Sequence, residues 1–209
     1  MKIFKAASAT VALATAAAIA APSYAQTPPP VTGPVVPGIC VFNTPRAIAT
    51  STAGQAIGAR LHQLGASVQA EIEAEGNALQ NEGKALQAKQ ATASKTQFET
   101  ERGALQVKAQ NFERKQQLRG VQLQITREKA LQQVELSLQP IVRQTFQQRG
   151  CSVLIEAQAT SFALFAPGDD LTDSVLAGLN AKLTSVPMDL ASEQEALQAV
   201  QQQQQQGGR

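Results

Sequence analysis

The sequence has no tryptophan, one tyrosine and one histidine, and only 4% of its 209 residues are aromatic. A chain so short of large side chains packs thin elements such as helix pairs more readily than a thick globular core. Charged residues make up 16%, below the usual quarter of a soluble domain. The single histidine, His62, lies in a helical stretch and reads as solvated surface rather than as a ligand. No GxxxxGK loop and no Ser-His-Asp set stands out. Two cysteines without histidine partners are too few for a structural zinc site. Asp169, Asp170 and Asp173 invite a calcium reading, but they open a helix, where carboxylates favour the positive dipole end. Glu71, Glu73 and Glu75 are spaced by two and are expected to point around a helix rather than converge. The chain is therefore expected to be no enzyme, with no catalytic residue, cofactor or metal.

What is present begins with an export signal. Lys2 and Lys5 precede an alanine-rich apolar stretch from Ala6 to Ala21. Pro22 breaks it, and Ser23-Tyr24-Ala25 fits the small-x-small rule for cleavage after Ala25. The stretch is too short and too rich in alanine for a membrane anchor, which needs ~20 strongly apolar residues. No later segment reads as a span, so no stable membrane insertion is expected. Cleavage removes two lysines and leaves sixteen basic against sixteen acidic residues. The apparent basicity belongs to the signal, which argues against nucleic acid as a partner.

Residues 26–38 hold five prolines and read as an extended, disordered leader. Ile39–Asn43 is a short β-branched strand, and Thr44-Pro45 looks like a helix start, with Thr44 as cap. Residues 39–56 and 147–186 make a small β-containing body. Between them, residues 57–146 carry coiled-coil spacing: Ile57, Leu61, Leu64, Val68, Ile72, Leu79 and Leu86, then Phe98, Leu105 and Phe112, then Leu118 to Ile141. The pattern lapses at 91–97, where Thr92, Ser94 or Thr96 is placed to cap a returning helix. The phase also slips between Ile125 and Leu131. A break near 91–97 folds the run into an antiparallel hairpin with arms of ~60–75 Å at 1.5 Å per residue. Gly76, Gly83 and Gly103 are either tolerated drift or sources of pliancy. Pro140 is expected to kink the descending helix or start a new segment.

Gly150 stops that helix. Cys151–Ala157 reads as a second strand and Ser161–Ala166 as a third. A helix follows with Leu171, Val175, Leu176, Leu179 and Leu183 on its apolar face, capped by Asp169, Asp170 or Thr172 and stopped by Pro187. The glutamine-rich stretch 187–209 is expected to be disordered. The fold class is thus α+β, mostly α: a long antiparallel helical hairpin rooted in a small β-sheet body, with a C-terminal helix. Cys40 and Cys151 each open a strand. If those strands are neighbours, a disulfide would tie the roots of the hairpin; otherwise the two are buried thiols. Residues 57–149 carry thirteen Lys/Arg against nine Asp/Glu, which fits either an ordinary solvated face or a weakly cationic arm.

This ordered set of elements resembles the OmpH-like family of periplasmic chaperones, of which Skp is the best-known member. The resemblance is carried by the signal, the strand Ile39–Asn43, the long helical region, the run from Leu138-Gln139-Pro140-Ile141 through Gly150-Cys151-Ser152-Val153-Leu154-Ile155-Glu156, and Asp169-Asp170-Leu171-Thr172-Asp173-Ser174-Val175-Leu176. It implies a periplasmic homotrimer whose helical arms surround a cavity. It also implies an ATP-independent holdase for unfolded outer-membrane proteins on their way to the outer-membrane assembly machinery. Family arms are usually more basic than these. Phe98, Phe112, Arg114, Lys115 and Arg119 are arm residues placed to touch clients, though each equally fits the seam or the solvated face. A reading of another class is a structural or adaptor coiled coil of the cell envelope.

Overall fold

The computed structural model describes residues 34–157 and 165–207. The export signal, most of the leader and nearly all of the expected third strand lie outside them. The chain opens with β1 (Ile39–Phe42), reached through Gly38, whose φ of +82° suits glycine. The Gly38 carbonyl accepts from the amides of Ser152 and Val153 at 2.7 and 2.9 Å. This starts a parallel pairing with the later strand β2, in register from Ile39↔Val153 to Phe42↔Glu156.

Helix α1 (Thr44–Thr50) follows at once. Its cap is Asn43, not Thr44 as the sequence suggests: Asn43 Oδ1 accepts from the Arg46 amide at 2.8 Å. Thr44 lies one position inside the helix, and its amide and hydroxyl donate to the Glu156 carboxylate at 2.9 and 3.0 Å. The chain then turns an elbow at Ser51, which is fully buried. The Ser51 hydroxyl donates to the Ile48 carbonyl at 2.8 Å and accepts from the Gly54 amide at 2.9 Å. A side chain at Gly54 would overlap the Ile48 carbonyl oxygen, which is backbone and cannot move aside. Gly54→Ala is expected to cost about 1–3 kcal/mol, as for other overpacked sites. Thermal unfolding would show this, and Gly58→Ala, with open space around it, is the control expected to leave the midpoint unchanged or raise it.

Helices α2 (Thr52–Lys89) and α3 (Lys95–Gln148) form the hairpin, and Ser94 caps α3 through the Gln97 amide. Helix α3 runs unbroken through Pro140. Pro140 and Leu136 are both exposed, so water is at hand for the carbonyl that loses its donor. The helix ends in a left-handed glycine turn. Gly150 has φ +65°, its amide donates to Gln147, and the Cys151 amide donates to Phe146. That turn aims Cys151 at β1. The structure places the Cys40 and Cys151 sulfurs at bonding distance, with Cα atoms 5.8 Å apart.

Strand β2 (Val153–Glu156) leads toward a single 3-10 turn, Pro167–Asp169, and then α4 (Thr172–Lys182). None of the expected caps holds the cap position, which is Leu171; Asp170 Oδ1 instead accepts from the Thr172 amide at 2.8 Å in the turn that leads into the helix. The Leu171 amide donates to Val41, so this segment flanks β1 on the side away from β2. Leu171, Val175 and Leu179 are fully buried against Phe42, Val134, Leu138, Ile141, Ala47, Ala53 and Ile57. Side chains of this size contribute about 1.5–3 kcal/mol each on full burial. The core therefore sits at the root of the hairpin and gathers α1, the lower half of α3, α4 and β1.

The expectation of a disordered tail is overturned: α5 (Glu193–Gly207) packs against α3. Ala196 is fully buried, and Met188 and Ala191 nearly so. Composition alone misses this because the first half of the segment, before Gln201, carries a helix cap and small apolar residues. Gln201–Gln206 are exposed along their whole length.

Candidate functional site

Along the arm, α2 and α3 are clasped by five ion pairs, of which Lys89–Glu101, Glu82–Lys108, Glu75–Lys115 and Glu71–Arg119 run in step. On each helix the pairs step by seven, seven and four residues, so they mark one antiparallel register. Glu71 and Glu75, four apart, do converge, both on Lys115 at 2.8 and 2.5 Å, while Glu73 turns aside and accepts from Gln69. Spacing by two hid this i,i+4 pair. The Arg119 guanidinium, and next the Lys115 ammonium, hold the Glu71 carboxyl below the ordinary carboxylate range. Glu71, then Glu75, hold Lys115 above its usual value.

The five arm residues singled out by the sequence therefore part company. Lys115 and Arg119 are half-buried members of the clasp, and Arg119 also donates to Gln122 at 2.9 Å. Arg114 is exposed and bonds only Asn111 on its own helix. Phe98 and Phe112 are half-buried seam residues. Gly76 has a packing reason, because a Cβ there would stand 3.3 Å from Phe112 Cζ. A recess of about 540 Å3 opens beside this contact, between Ile72, Gly76 and Phe112. Most of the seam is only half-covered from Leu61 to Leu79, although Leu86 and Leu118 are buried and the root closes fully. Two helices alone cannot hide it.

The phase slip after Ile125 has a physical cause. Around it, α3 has a buried line, Gln122, Thr126, Ala130, Val134, Leu138, Ile141 and Thr145, that packs against the tail and α4 as well as the root of α2. Gln122 and Thr126 are polar because they bond the backbone of the tail. Gln122 Nε2 donates to the Ala191 carbonyl at 2.6 Å, and Thr126 Oγ1 accepts from the Ala191 amide at 2.9 Å. Ser192 caps α5, and Glu195 reaches back to the Ser192 amide at 2.9 Å, a capping box that the sequence shows as Ser-x-x-Glu. Lys129 pairs with the same carboxylate. Lys129 first, then the Ser192 amide and hydroxyl, lower the Glu195 pKa to about 2. A depressed carboxylate stabilises the fold above its ordinary range of about 4.5, and that contribution fades as pH falls through about 2. An NMR titration is expected to place Glu195 well below other exposed glutamates, with a higher midpoint in Lys129→Ala. An ordinary midpoint in the native chain would remove the Lys129 contact from the account.

At the other face of the root, all four residues of β2 are exposed, with Val153 at 51%, Leu154 at 37% and Ile155 at 48%. Among the described residues only one edge of the strand is paired. Beside it lies a groove of about 540 Å3 floored by Phe42, Leu138, Val142, Phe146 and Leu154. An apolar β-branched strand left bare at a sheet edge marks a protein-binding surface.

A sequence-family model for "Outer membrane protein (OmpH-like)" matches residues 38–179. This chain belongs to the OmpH-like family. The crystal structure of an OmpH-like outer membrane chaperone from Caulobacter crescentus superposes with a TM-score of 0.72 at 38% identity, over 77% of this chain and 94% of that one. Among curated proteins no match is found. The family match accounts for the hairpin, the two-stranded sheet and most of α4, and it supports a chaperone role. The tail segment with α5 lies beyond it. Among the described residues no helix of this OmpH-like chain is long and apolar enough to cross a membrane.

Proposed function

We propose that this OmpH-like chain is a periplasmic holdase, exported by a signal cleaved after Ala25. Three copies join through β2 and the groove beside it, and their arms enclose an unfolded outer-membrane protein. The client is held without ATP and passed to the outer-membrane assembly machinery. Neither nucleic acid nor membrane insertion takes part, and no bond is made or broken.

The observation that carries this reading is the bare apolar strand Val153–Ile155 beside an apolar groove, in a chain of this family. Bringing copies together buries that surface and sets the half-covered arm seams around a common space. Four of the arm's cations are already neutralised by glutamates. Capture therefore rests on apolar contact along the seam, at Phe112 and its recess, more than on net charge. Many weak contacts hold a chain without folding it.

The test is aggregation. An unfolded outer-membrane barrel is diluted from urea with the mature protein and no nucleotide, and light scattering is followed. Suppression at about one trimer per client supports the proposal. No suppression, with tight binding to one folded envelope protein instead, would replace it with the adaptor reading.

A further inference from the structure

The segment from Met188 to the end of α5 touches both helices of the arm at once. Its Met188 carbonyl accepts from Arg60 Nε on α2 at 3.1 Å. Its Ala191 amide and carbonyl bond Thr126 and Gln122 on α3, and Glu195 pairs with Lys129 on the same helix. At its near end it continues directly from α4, whose Val175 and Leu179 are locked in the core. It thus runs from the body to both helices of the arm at the level where the arm leaves the body.

The contact is unlike a permanent core. Met188 belongs to the root core with Leu171, Val175 and Leu179 and anchors the near end of the segment; beyond it the buried tail side chains are the small Ala191 and Ala196. The arm surface that bonds the tail backbone is polar, with Gln122 and Thr126 each only 3% exposed. An apolar surface uncovered by a departing segment would be left sticky. An amide and a hydroxyl bond water instead, at little cost. Both faces of this contact are therefore suited to water as well as to each other. The outer turns, Gln201–Gln206, are exposed and add little to the grip.

We infer that residues 189–207 are a releasable strap, anchored at Met188, that holds the arm at a set angle to the body while docked and frees it to swing when undocked. The inference stands on the single chain and does not depend on the client. Each hydrogen bond lost to Thr126 or Gln122 shifts docking by about 1 kcal/mol, roughly fivefold in the open population.

Hydrogen exchange on the full chain tests the release. Amides of 191–200 are expected to exchange well before those of α4, faster in Thr126→Val by about fivefold or more, and at the native rate in Thr126→Ser. Spin labels at Thr92→Cys and Lys182→Cys, with the native cysteines joined, read the arm angle. Their distance distribution is expected to broaden in Gln122→Ala/Thr126→Val/Lys129→Ala, with α4 exchange unchanged as the sign of an intact body. Tail amides that exchange only together with α4 would overturn the release. A distribution equally narrow with the tail protected and unprotected would overturn the strap.

Discussion

Replacing Cys40 and Cys151 together by alanine is expected to lower the thermal midpoint by roughly 10–20 °C. The two are 111 residues apart in sequence, so their bond closes a loop that holds the whole hairpin. Closing a loop of that length removes about 4–5 kcal/mol of entropy from the unfolded chain in the loop-entropy model. In the folded chain the bond fastens the first strand to the end of α3, where the Gly150 turn delivers Cys151. The arm far from the root keeps its own clasp of ion pairs and seam residues. Loss of the bond should therefore raise hydrogen exchange around β1, β2 and the end of α3 most, and exchange near Ser94 least. A midpoint that moves by less than about 2 °C would mean that the core of α1, α3 and α4 defines the root unaided.

Ile155→Lys is expected to convert the assembled protein to single chains. Ile155 is 48% exposed in the isolated chain, so a lysine there costs the monomer little. In an assembly built on β2 the same lysine would be buried without a partner, which is costly enough to reverse association. Solution mass should fall threefold while circular dichroism keeps the full helical signal. Suppression of aggregation should fall with it, because a lone arm has no opposing arms to enclose a client. A variant that keeps both mass and activity would show that the copies meet elsewhere.

Much of this architecture is written in local patterns. The seven-residue recurrence through Leu79, Leu86, Phe98 and Leu105 and the polar lapse between them place the hairpin and its turn, and Ser94 caps α3 as such a lapse requires. Gly150 and the two strand-opening cysteines mark the root. What pattern could not supply is which residues meet across long separations. The Glu71–Glu75 pair becomes visible only once Lys115 is known to lie opposite. Thr44 looks like a cap until Asn43, one residue earlier, is seen to carry the bond. Gln122 and Thr126 give no signal in the sequence, because polar side chains in a helix usually lie at the surface. Their burial depends on a tail whose glutamines hid a Ser192–Glu195 capping box. Lys115 and Arg119, picked for their charge, prove to be spent within the arm.

In the proposed assembly, bare β2 strands gather the chains and leave the arms to hold an unfolded barrel. The decisive quantity is the mass of the mature protein by light scattering coupled to chromatography, alone and after mixing with a urea-unfolded outer-membrane barrel. Three chains are expected alone, and three chains plus one barrel in a soluble complex without nucleotide. A single-chain mass in both cases, with the barrel lost to precipitate, would contradict that assembly.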